Sequence, residues 1–570
     1  MMFADDGRGP AGRARGGVDL RILLLVSAFN GLTQRVWCHL TGAGHDVGVE
    51  LAPVFATPED LVAAVEDIAP DLILAPFLKH RVPEQVWRRW TTVVVHPGPV
   101  GDRGPSSLDH AILDGRERWG VTALSAVEEM DAGPVWATST FAMPAVPLAK
   151  SALYNGPVAD AAMRCVDEVL RKVAAGEGPT PADDLPREVA GTGELPLLRR
   201  AAFELDWSLP AADLARRVAA ADGAPGAPAT VGGRRVCLFD AVATAQDLGG
   251  TPGAVVGHDG DAVAFATGDG VLWVGYAAEL AERRGPKLPA RLVLDPQRRS
   301  PYREAPEQLA EAVYERDGDV GYLTFRSYNG AMHTEQCLRL AAAVEKALTE
   351  DTRVLVLRGT EHTFSNGIHL GMIDAAEDPA AEAWANIQAI DDLCEAIARA
   401  EQTTVAAITA NAGAGGVMAA LCADVVVARD GVVLNPYYDM GIYGSELHTW
   451  ALPARVGAET ADALLQDKLP VGATRARELG LVDAVGPRDP EAFAAWLAER
   501  AREGGSGDAR REGLGADAAG RPLSYYRTVE LAEMARDLFD DRNGFAGRRR
   551  DFLRKAAPTE TPERLRFPRA

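Results

Sequence analysis

The sequence lacks the features that would assign it to a membrane, to nucleic acid or to a metal centre. No apolar run approaches the roughly 18 residues that span a bilayer. The 59 Lys and Arg residues are outnumbered by 81 Asp and Glu, and the formal net charge of −22 argues against nucleic acid or an anionic membrane surface as the main partner. The six cysteines include no Cys-x-x-Cys pair, which argues against a zinc or iron–sulfur site. We therefore expect a cytoplasmic protein with reduced thiols and no metal.

The chain is long enough for several domains. Its 570 residues, 47% of them hydrophobic, predict three or four domains with sizeable cores. Residues 1–18 are rich in Gly, Arg and Asp without an apolar core, and they predict a flexible tail rather than a signal peptide. A linker rich in Pro and Arg is predicted at Pro286–Pro306, and a flexible glycine-rich break at Gly504–Gly507.

The first hundred residues alternate apolar strands with helical segments. Asp19–Val26 is a continuous apolar run, and Asp71–Pro76 and Thr92–Val95 repeat it. This alternation predicts an α/β domain with a doubly wound parallel sheet. Ligands of such sheets bind beyond the carboxyl ends of the strands. Segments 27–35 and 96–107 follow strand ends, so we expect them to form the functional rim.

Four motifs follow these strands in order: His96-Pro-Gly98, Arg103-Gly104, Gly120-Val-Thr122 and Asp131-Ala-Gly-Pro134. In type and order they resemble the folate-dependent formyltransferases. The resemblance implies that His96 accepts the proton of the attacking nucleophile and stabilises the tetrahedral oxyanion, and that Asp131 orients the imidazole and organises the folate pocket. It also implies N10-formyl-tetrahydrofolate as the ligand, bound by side chains of the rim: Ser27, Asn30, Gln34, Arg103, Ser106 and Val121.

This half departs from the formyltransferase pattern at one position. The family has an asparagine two residues before the histidine, and here that residue is Val94. Asn30 or Gln34 on the first loop could supply the missing donor. Alternatively the formyl acceptor is a thiol, which is partly ionised near neutral pH and demands less of a base than an amine does.

A second segment carries Asp206-Trp-Ser208 before a helical stretch and Thr267-Gly-Asp-Gly270 between short strands. These resemble the small C-terminal barrel domain of methionyl-tRNA formyltransferases. We interpret them as structural, a helix start and a hairpin turn. A tRNA-binding surface would require basic residues, and the chain is acidic.

A glycine turn, Gly413–Gly416, precedes an apolar helix that ends near Cys422. About 50 residues upstream, a strand is followed by Phe364-Ser-Asn-Gly-Ile-His369. The pair of stretches resembles the crotonase (enoyl-CoA hydratase/isomerase) superfamily. The resemblance implies an oxyanion hole built from the backbone N–H groups of Ile368 and Gly415, which would hold the carbonyl of a CoA thioester. The side chains and turn residues expected to bind the cofactor CoA are Ser365, Asn366, Gly367, Arg326 and Asn329.

The hydratase chemistry is absent from this half. His369 replaces the aspartate of the family's turn, and Met418 and Tyr437 stand where hydratases carry their two glutamates. Without paired carboxylates, water cannot be added across a double bond. Tyr438 and Glu446 are the polar residues nearby that could perform another reaction, with Tyr443 between them in sequence.

The two halves together resemble the hydrogenase maturation factor family HypX (HoxX). That resemblance implies synthesis of the CO ligand of [NiFe]-hydrogenase: formyl transfer from N10-formyl-tetrahydrofolate to CoA, then decarbonylation of formyl-CoA to CO and CoA. We expect Glu446 to be the general base of the second step and Tyr438 its orienting donor. The hydrogenase large subunit or its maturation machinery is the expected partner. The basic stretch Arg548–Lys555 either meets CoA phosphates or is a solvated helix face.

Two other functions remain open. The protein could hydrolyse the formyl group to formate, or the crotonase-like half could be a non-catalytic CoA-binding scaffold for hydrogenase assembly. The resemblances also divide the chain into a tail (1–18), a formyltransferase-like domain (19–195), a small barrel-like, OB-like domain (196–290), a linker (291–310) and a crotonase-like α/β domain with C-terminal helices (311–570).

Overall fold

The structure is a computed structural model that describes residues 19–504 and 520–567. The predicted tail 1–18 and most of the predicted break, 505–507, lie outside the described residues. Three sheets of six strands follow one another along the chain. None of the helices in the described ranges is both long and apolar enough to cross a bilayer.

The first domain is a twisted α/β sheet with strand order β2-β1-β3-β4-β5-β6. Strands β1 to β4 are parallel, as predicted, and β5 and β6 continue the sheet antiparallel. Its strands are β1 (Arg21–Val26), β2 (Asp46–Leu51), β3 (Leu72–Ala75), β4 (Thr92–His96), β5 (Arg118–Ser125) and β6 (Val135–Ala142). Its helices are α1 (Gly31–Gly42), α2 (Pro58–Ile68), α3 (Glu84–Trp87), α4 (Ser107–Leu113), α5 (Lys150–Leu153) and α6 (Ala159–Ala175).

Both faces of this sheet are covered, which explains the continuous apolar run of β1. Leu24 and Val26 pack into one core with α1 and α6, whereas Leu23 and Leu25 pack into another with α2 and α3. Parallel strands covered on both faces require apolar residues at every position. The loops after β1 and β4 emerge at the same edge, which is the edge expected to bind ligand.

The second domain is an antiparallel sheet with order β7-β8-β11-β10-β9, and β12 pairs with β11. Among the described residues the outer strands β7 and β9 are not paired with each other, so the sheet is open rather than a closed barrel. Its elements are β7 (Ala227–Val231), β8 (Arg234–Thr244), β9 (Val255–Asp259), β10 (Ala262–Ala266), β11 (Val271–Glu279), β12 (Leu288–Pro289), α7 (Ala211–Ala221) and α8 (Ala290–Leu294). The core of this sheet is continuous with that of the first domain.

The third domain is built on a sheet with order β13-β14-β16-β18-β20-β23, parallel except for β13. Its strands are β13 (Ala312–Asp317), β14 (Val320–Phe325), β15 (Ala331–Met332), β16 (Val354–Arg358), β17 (Gly367–Ile368), β18 (Thr403–Ile408), β19 (Ala412–Gly413), β20 (Val425–Arg429), β21 (Val433–Asn435), β22 (Val471–Gly472) and β23 (Ala484–Gly486). Its helices are α9 (Thr334–Ala347), α10 (Leu370–Ala375), α11 (Pro379–Ala398), α12 (Gly415–Leu421), α13 (His448–Val456), α14 (Ala458–Asp467), α15 (Ala473–Leu479), α16 (Pro490–Arg502), α17 (Leu523–Phe539) and α18 (Phe545–Arg554).

The last described residues, 561–567, return to the first domain. The Thr561 hydroxyl accepts a hydrogen bond from the Leu51 N–H (3.0 Å) and donates one to Glu50 (2.7 Å), both at the end of edge strand β2. Phe567 packs against Gly48 of the same strand. This C-terminal segment therefore covers one edge of the first sheet. It joins the first and third domains, although Thr561 is 510 residues from Leu51 in sequence.

Candidate active sites

The first candidate site surrounds His96, the last residue of β4. Its Nε2 lies 2.8 Å from Oδ2 of Asp102, and its Nδ1 lies 3.5 Å from Oδ1 of Asp131. His96 and Asp102 are buried, and the other carboxylate oxygen of Asp102 has no hydrogen-bond partner. A carboxylate at hydrogen-bond distance holds an imidazole in one orientation and selects which nitrogen carries the proton. The structure brings Asp131 beside the ring and adds Asp102, which sequence reasoning missed.

The loop after β4 is shaped by glycine at the point where these side chains meet. A Cβ on Gly98 would lie closer than 3.0 Å to both His96 and Asp102. The Gly98 carbonyl accepts a hydrogen bond of 2.8 Å from the Thr122 hydroxyl. Asp131 has left-handed backbone geometry (φ 58°), which a non-glycine residue adopts at some cost. The glycine in the His-Pro-Gly motif therefore makes room for the His96–Asp102 contact.

The two amides that could replace the missing asparagine both accept hydrogen bonds through their oxygen atoms. Asn30 caps α1, and its Oδ1 accepts a hydrogen bond from the Thr33 N–H at 3.0 Å. Gln34 Oε1 accepts one from Nδ2 of Asn435 in the third domain at 3.1 Å. Gln34 therefore belongs to the junction between the first and third domains, and the polar groups beside His96 are the carboxylates of Asp102 and Asp131.

The other rim residues also have partners within the protein. The Ser27 hydroxyl accepts a hydrogen bond from the Lys79 N–H (2.7 Å), and the Ser106 hydroxyl accepts one from the Leu198 N–H (3.0 Å). The Arg103 guanidinium makes an ion pair with Glu129, and Val121 pairs with strand β6. Ser106 and Val121 are buried. Their roles toward folate stay a prediction.

The second candidate site forms where two glycine turns meet, around a cavity of about 70 Å³ lined by Ile368 and Gly415. A Cβ on Gly367 would lie 3.3 Å from the Cα and N atoms of Gly415, so the turns are in contact. Gly415 opens α12, and the first N–H groups of a helix have no acceptor within it. Ser365 shapes the turn, because its hydroxyl accepts a hydrogen bond from the Gly367 N–H at 3.1 Å.

Tyr438 and Glu446 line the same cavity. The Tyr438 phenol donates a hydrogen bond of 2.6 Å to Oε2 of Glu446, and the Ser445 N–H donates to the same oxygen at 3.2 Å. Burial raises the pKa of Glu446, and these two hydrogen bonds oppose the rise. Burial also raises the pKa of Tyr438, well above its usual value. A raised pKa makes a carboxylate a stronger base, which suits it to accept a proton.

The carboxylate of Glu446 is held against the turn that contains Gly415, the expected oxyanion turn. A Cβ on Gly415 would lie closer than 3.0 Å to it. Glu446 and Leu447 both have left-handed φ values, 61° and 56°, and strained backbone of this kind is found at functional sites. Asp391 of α11 accepts the Glu446 N–H at 2.8 Å and so supports that conformation.

Asp391 and Glu530 are two buried acids near Glu446 that sequence reasoning missed. Burial raises the pKa of both, that of Glu530 to about 8. Glu530 accepts a hydrogen bond of 2.7 Å from the Thr449 N–H. For Asp391 the sequence did contain a signal, an acidic residue inside the apolar pattern of the long helix α11. Charged residues are rarely buried unless they are paired or functional.

His369 has a structural explanation. It is the N-terminal cap of α10, where its Nδ1 accepts a hydrogen bond from the Met372 N–H at 3.0 Å. Burial lowers the pKa of His369 to about 4, so the ring is neutral and keeps a lone pair for this bond. The histidine therefore performs the capping that a carboxylate would perform in its place.

A larger cavity of about 850 Å³ lies where the three domains meet. Arg326, Asn329 and Asn366, which were expected to bind CoA, line it together with Gln34 of the first domain. Asn366 also lines the cavity beside Glu446, so the two spaces adjoin at this side chain. The Arg326 guanidinium makes an ion pair with Asp240 of the second domain.

Cations from all three domains lie near one another around Lys555. Burial lowers the pKa of Lys555, and the nearby charges of Arg284, Lys79 and Lys150 lower it further, whereas Asp222 opposes them. The residues on both sides of Lys150 line the cavity. Such a group of cations in an acidic chain suits an anionic ligand.

Three metal-ligand side chains, Asp261, Glu311 and His333, also lie within 4.8 Å of one another. The Arg339 guanidinium donates hydrogen bonds to both carboxylates at 2.6 to 2.8 Å. This arginine supplies the positive charge that a metal ion would otherwise contribute, so we interpret the cluster as a salt bridge between domains.

The comparisons with known proteins agree with this architecture. The family described as "Enoyl-CoA hydratase/isomerase" matches residues 315–503, and that described as "Formyl transferase, C-terminal domain" matches residues 198–290. Hydrogenase maturation factor HoxX of Bradyrhizobium diazoefficiens is 40% identical over 556 residues, which cover 95% of this chain and 96% of the relative. The chain belongs to the HoxX (HypX) family of hydrogenase maturation factors.

Solved structures confirm the fold for this HoxX-family chain. The crystal structure of HypX from Aquifex aeolicus in complex with tetrahydrofolic acid superposes with a TM-score of 0.89 at 36% identity, covering 96% of this chain and 98% of that chain. The methionyl-tRNA formyltransferase of Granulibacter bethesdensis is 34% identical over 201 residues, 34% of this chain and 60% of the relative. The predicted union of formyltransferase-like and crotonase-like halves is thus confirmed, and the protein is a member of a hydrogenase maturation family with both domains.

Proposed function

We propose that this HoxX-family protein makes the CO ligand of [NiFe]-hydrogenase in two steps. The formyl group of N10-formyl-tetrahydrofolate passes to the thiol of CoA near His96, and formyl-CoA is then split into CO and CoA near Glu446. The observation that carries the proposal is the buried Tyr438–Glu446 pair against the Gly415 turn, in a cavity that adjoins the interdomain cavity. Folate binding is further supported by the tetrahydrofolic acid complex of the Aquifex HypX.

In the first step a carbon–sulfur bond forms and the carbon–nitrogen bond to N10 breaks. His96 accepts the thiol proton and returns a proton to N10 as tetrahydrofolate leaves. Asp102 and Asp131 stabilise the imidazolium that exists between these transfers. A thiol acceptor, being the more acidic nucleophile, is compatible with valine at position 94.

In the second step the carbon–sulfur bond of H–C(=O)–S–CoA breaks and no redox partner is required. Glu446 takes the proton from the formyl carbon, and a proton is delivered to sulfur, so the products are CO and the CoA thiol. Tyr438 donates to Glu446 and holds it toward the thioester. The N–H groups of Ile368 and Gly415 are proposed to bind the formyl oxygen. A formyl thioester has no α-carbon, so the hydratase glutamates are not needed.

CoA is proposed to occupy the interdomain cavity. Its volume of about 850 Å³ is within the range of about 300–1,000 Å³ typical of ligand sites. The cations near Lys555 are suited to the phosphates, and the pantetheine arm would pass Asn366 to reach Gly415. CO would then go to the hydrogenase large subunit or its maturation machinery.

A turnover assay tests the proposal. The protein receives N10-formyl-tetrahydrofolate labelled at the formyl carbon, with and without CoA, while haemoglobin traps CO and formate is quantified. We expect labelled carboxyhaemoglobin that requires CoA and is lost in His96→Ala. Labelled formate without CO would instead identify a hydrolase, and CoA binding without any turnover would identify a scaffold.

A further inference from the structure

An apolar cavity of about 30 Å³ lies inside the third domain, separate from the two spaces assigned above. Side chains from the main sheet and from helices α9, α11 and α12 surround it, among them Phe325, Met332, Leu340, Leu393 and Ala420. All of these side chains are buried. Because its lining is almost wholly hydrocarbon, the cavity presents no group that would hold a charged or strongly polar ligand.

The cavity is directly behind the oxyanion turn. Ser365 and Gly416 line it, whereas the adjoining Asn366 and Gly415 line the cavity that contains Glu446. The two backbone segments touch, since a Cβ on Gly416 would lie closer than 3.0 Å to the Ser365 carbonyl. A single layer of backbone therefore separates the apolar cavity from the place where the thioester would react.

The size and polarity of the cavity favour a small apolar molecule. A water molecule requires about 10–15 Å³ of such volume and two to four polar partners. The one hydroxyl in the lining, that of Ser365, already accepts the Gly367 N–H at 3.1 Å. Apolar cavities of this kind stay dry and bind xenon or small hydrocarbons. A volume of about 30 Å³ gives room for a diatomic molecule.

We propose that this cavity is a docking site for the diatomic gas released at Glu446, and that it lies on a route by which the gas leaves. This inference rests on the proposed function, in which that gas is CO. Met332 and Leu340 line both this cavity and a cleft of about 370 Å³ between the second and third domains. The cleft also includes Arg339, whose side chain is 43% exposed.

The route explains how product and cofactor separate. CoA would fill the interdomain cavity while the thioester reacts, and that path is closed to a gas for as long as CoA is bound. An apolar molecule that passes between the turns at Ser365 and Gly416 would instead enter the apolar cavity. It would then pass Met332 and Leu340 toward the cleft, so that CO need not move back along the pantetheine arm.

Xenon tests the site without any reaction. Crystals of the full-length protein are pressurised with xenon, and we expect a xenon peak bounded by Leu393 and Ala420. Ala420→Val adds two methyl groups to the cavity wall and should remove the peak. Ala343→Val, on helix α9 at a half-buried position outside the cavity, makes the same chemical change and should retain it.

The role of the apolar cavity in CO exit is tested separately. The rate of CO release is measured in a single turnover of formyl-CoA, with haemoglobin as the trap for CO. Ala420→Val should release CO more slowly than Ala343→Val, while both unfold at similar temperatures and form formyl-CoA at similar rates. An unfilled cavity in xenon-treated wild-type crystals overturns the docking site. Unchanged CO release in an Ala420→Val protein that has lost the xenon peak overturns the route. A wild-type protein that makes no CO refutes the proposed function, and the xenon peak still decides whether the cavity binds gas.

Discussion

Tyr438 and Glu446 are eight residues apart, and the phenol of the first donates a 2.6 Å hydrogen bond to the carboxylate of the second. Both side chains are buried, at 8% and 3% exposure, beside the turn that contains Gly415. Met418 and Tyr437 stand where hydratases carry their glutamates, so we propose this pair as the acid–base machinery of the thioester site.

Glu446→Gln should abolish CO release and leave the formylation of CoA intact. The amide keeps the shape of the side chain but cannot accept a proton from carbon, and loss of a general base typically costs about 10²–10⁴ in rate. Formyl-CoA should therefore accumulate, as measured by chromatography of the labelled thioester. Asp439→Asn is the matched control, because Asp439 lines the same cavity with a side chain that is 44% exposed. Full CO release by Glu446→Gln would remove this residue from the mechanism.

Tyr438→Phe should shift the pH dependence of CO release to higher pH. The Tyr438 hydrogen bond lowers the pKa of Glu446 against the larger effect of burial, so its loss raises that pKa further. The carboxylate must be ionised to act as a base, and more alkaline conditions would then be required. The measurement is the pH–rate profile with supplied formyl-CoA. Tyr437→Phe, which removes a hydroxyl 3.3 Å from Asn435, should leave the profile in place, and an unshifted profile in Tyr438→Phe contradicts the prediction.

Asp102→Asn should slow formyl transfer to CoA while decarbonylation of supplied formyl-CoA continues. The buried carboxylate lies 2.8 Å from Nε2 of His96 and stabilises its protonated form, and an amide cannot do so. A loss of roughly tenfold or more is expected for a group that supports the base. The two half-reactions are assayed separately. Asp114→Asn, at a 45% exposed side chain of the same domain, is the control, and equal transfer rates for the two variants would disprove a role for Asp102.

Glu530 should make the protein less stable as pH rises. Burial raises its pKa from the usual 4.5 to about 8 in the folded protein. Between these values the folded state holds a proton that the unfolded state has lost, so the free energy of unfolding falls with rising pH until about pH 8. Glu530→Gln removes this contribution and should flatten the slope between about pH 5 and 8. Urea unfolding at several pH values measures it.

The control for that experiment is Glu533→Gln on the same helix. Hydrogen bonding to Arg542 lowers the pKa of Glu533, so its contribution to stability is lost as pH falls rather than as pH rises. Its substitution should leave the slope between pH 5 and 8 as it is in the wild-type protein. Equal slopes in Glu530→Gln and in the wild-type protein would contradict the raised pKa of Glu530.

The sequence by itself determined the elements whose causes are local. The continuous apolar run of β1 implied a strand covered on both faces, and the glycines near Ile368 and Gly415 implied turns where backbones approach closely. The absence of the hydratase glutamates could also be predicted, because the residues at those two motif positions are read directly from the sequence. Both halves and their order along the chain followed from such motifs.

Tertiary structure alone decided the groupings that span the chain. Asp391 supports Glu446 from 55 residues away, Gln34 meets Asn435 in another domain, and Asp102 rather than an amide lies beside His96. Sheet order and domain packing set these distances, and neither is encoded in local periodicity. The interdomain cavity and the apolar cavity behind the oxyanion turn have the same origin, since empty space arises only from how distant segments pack.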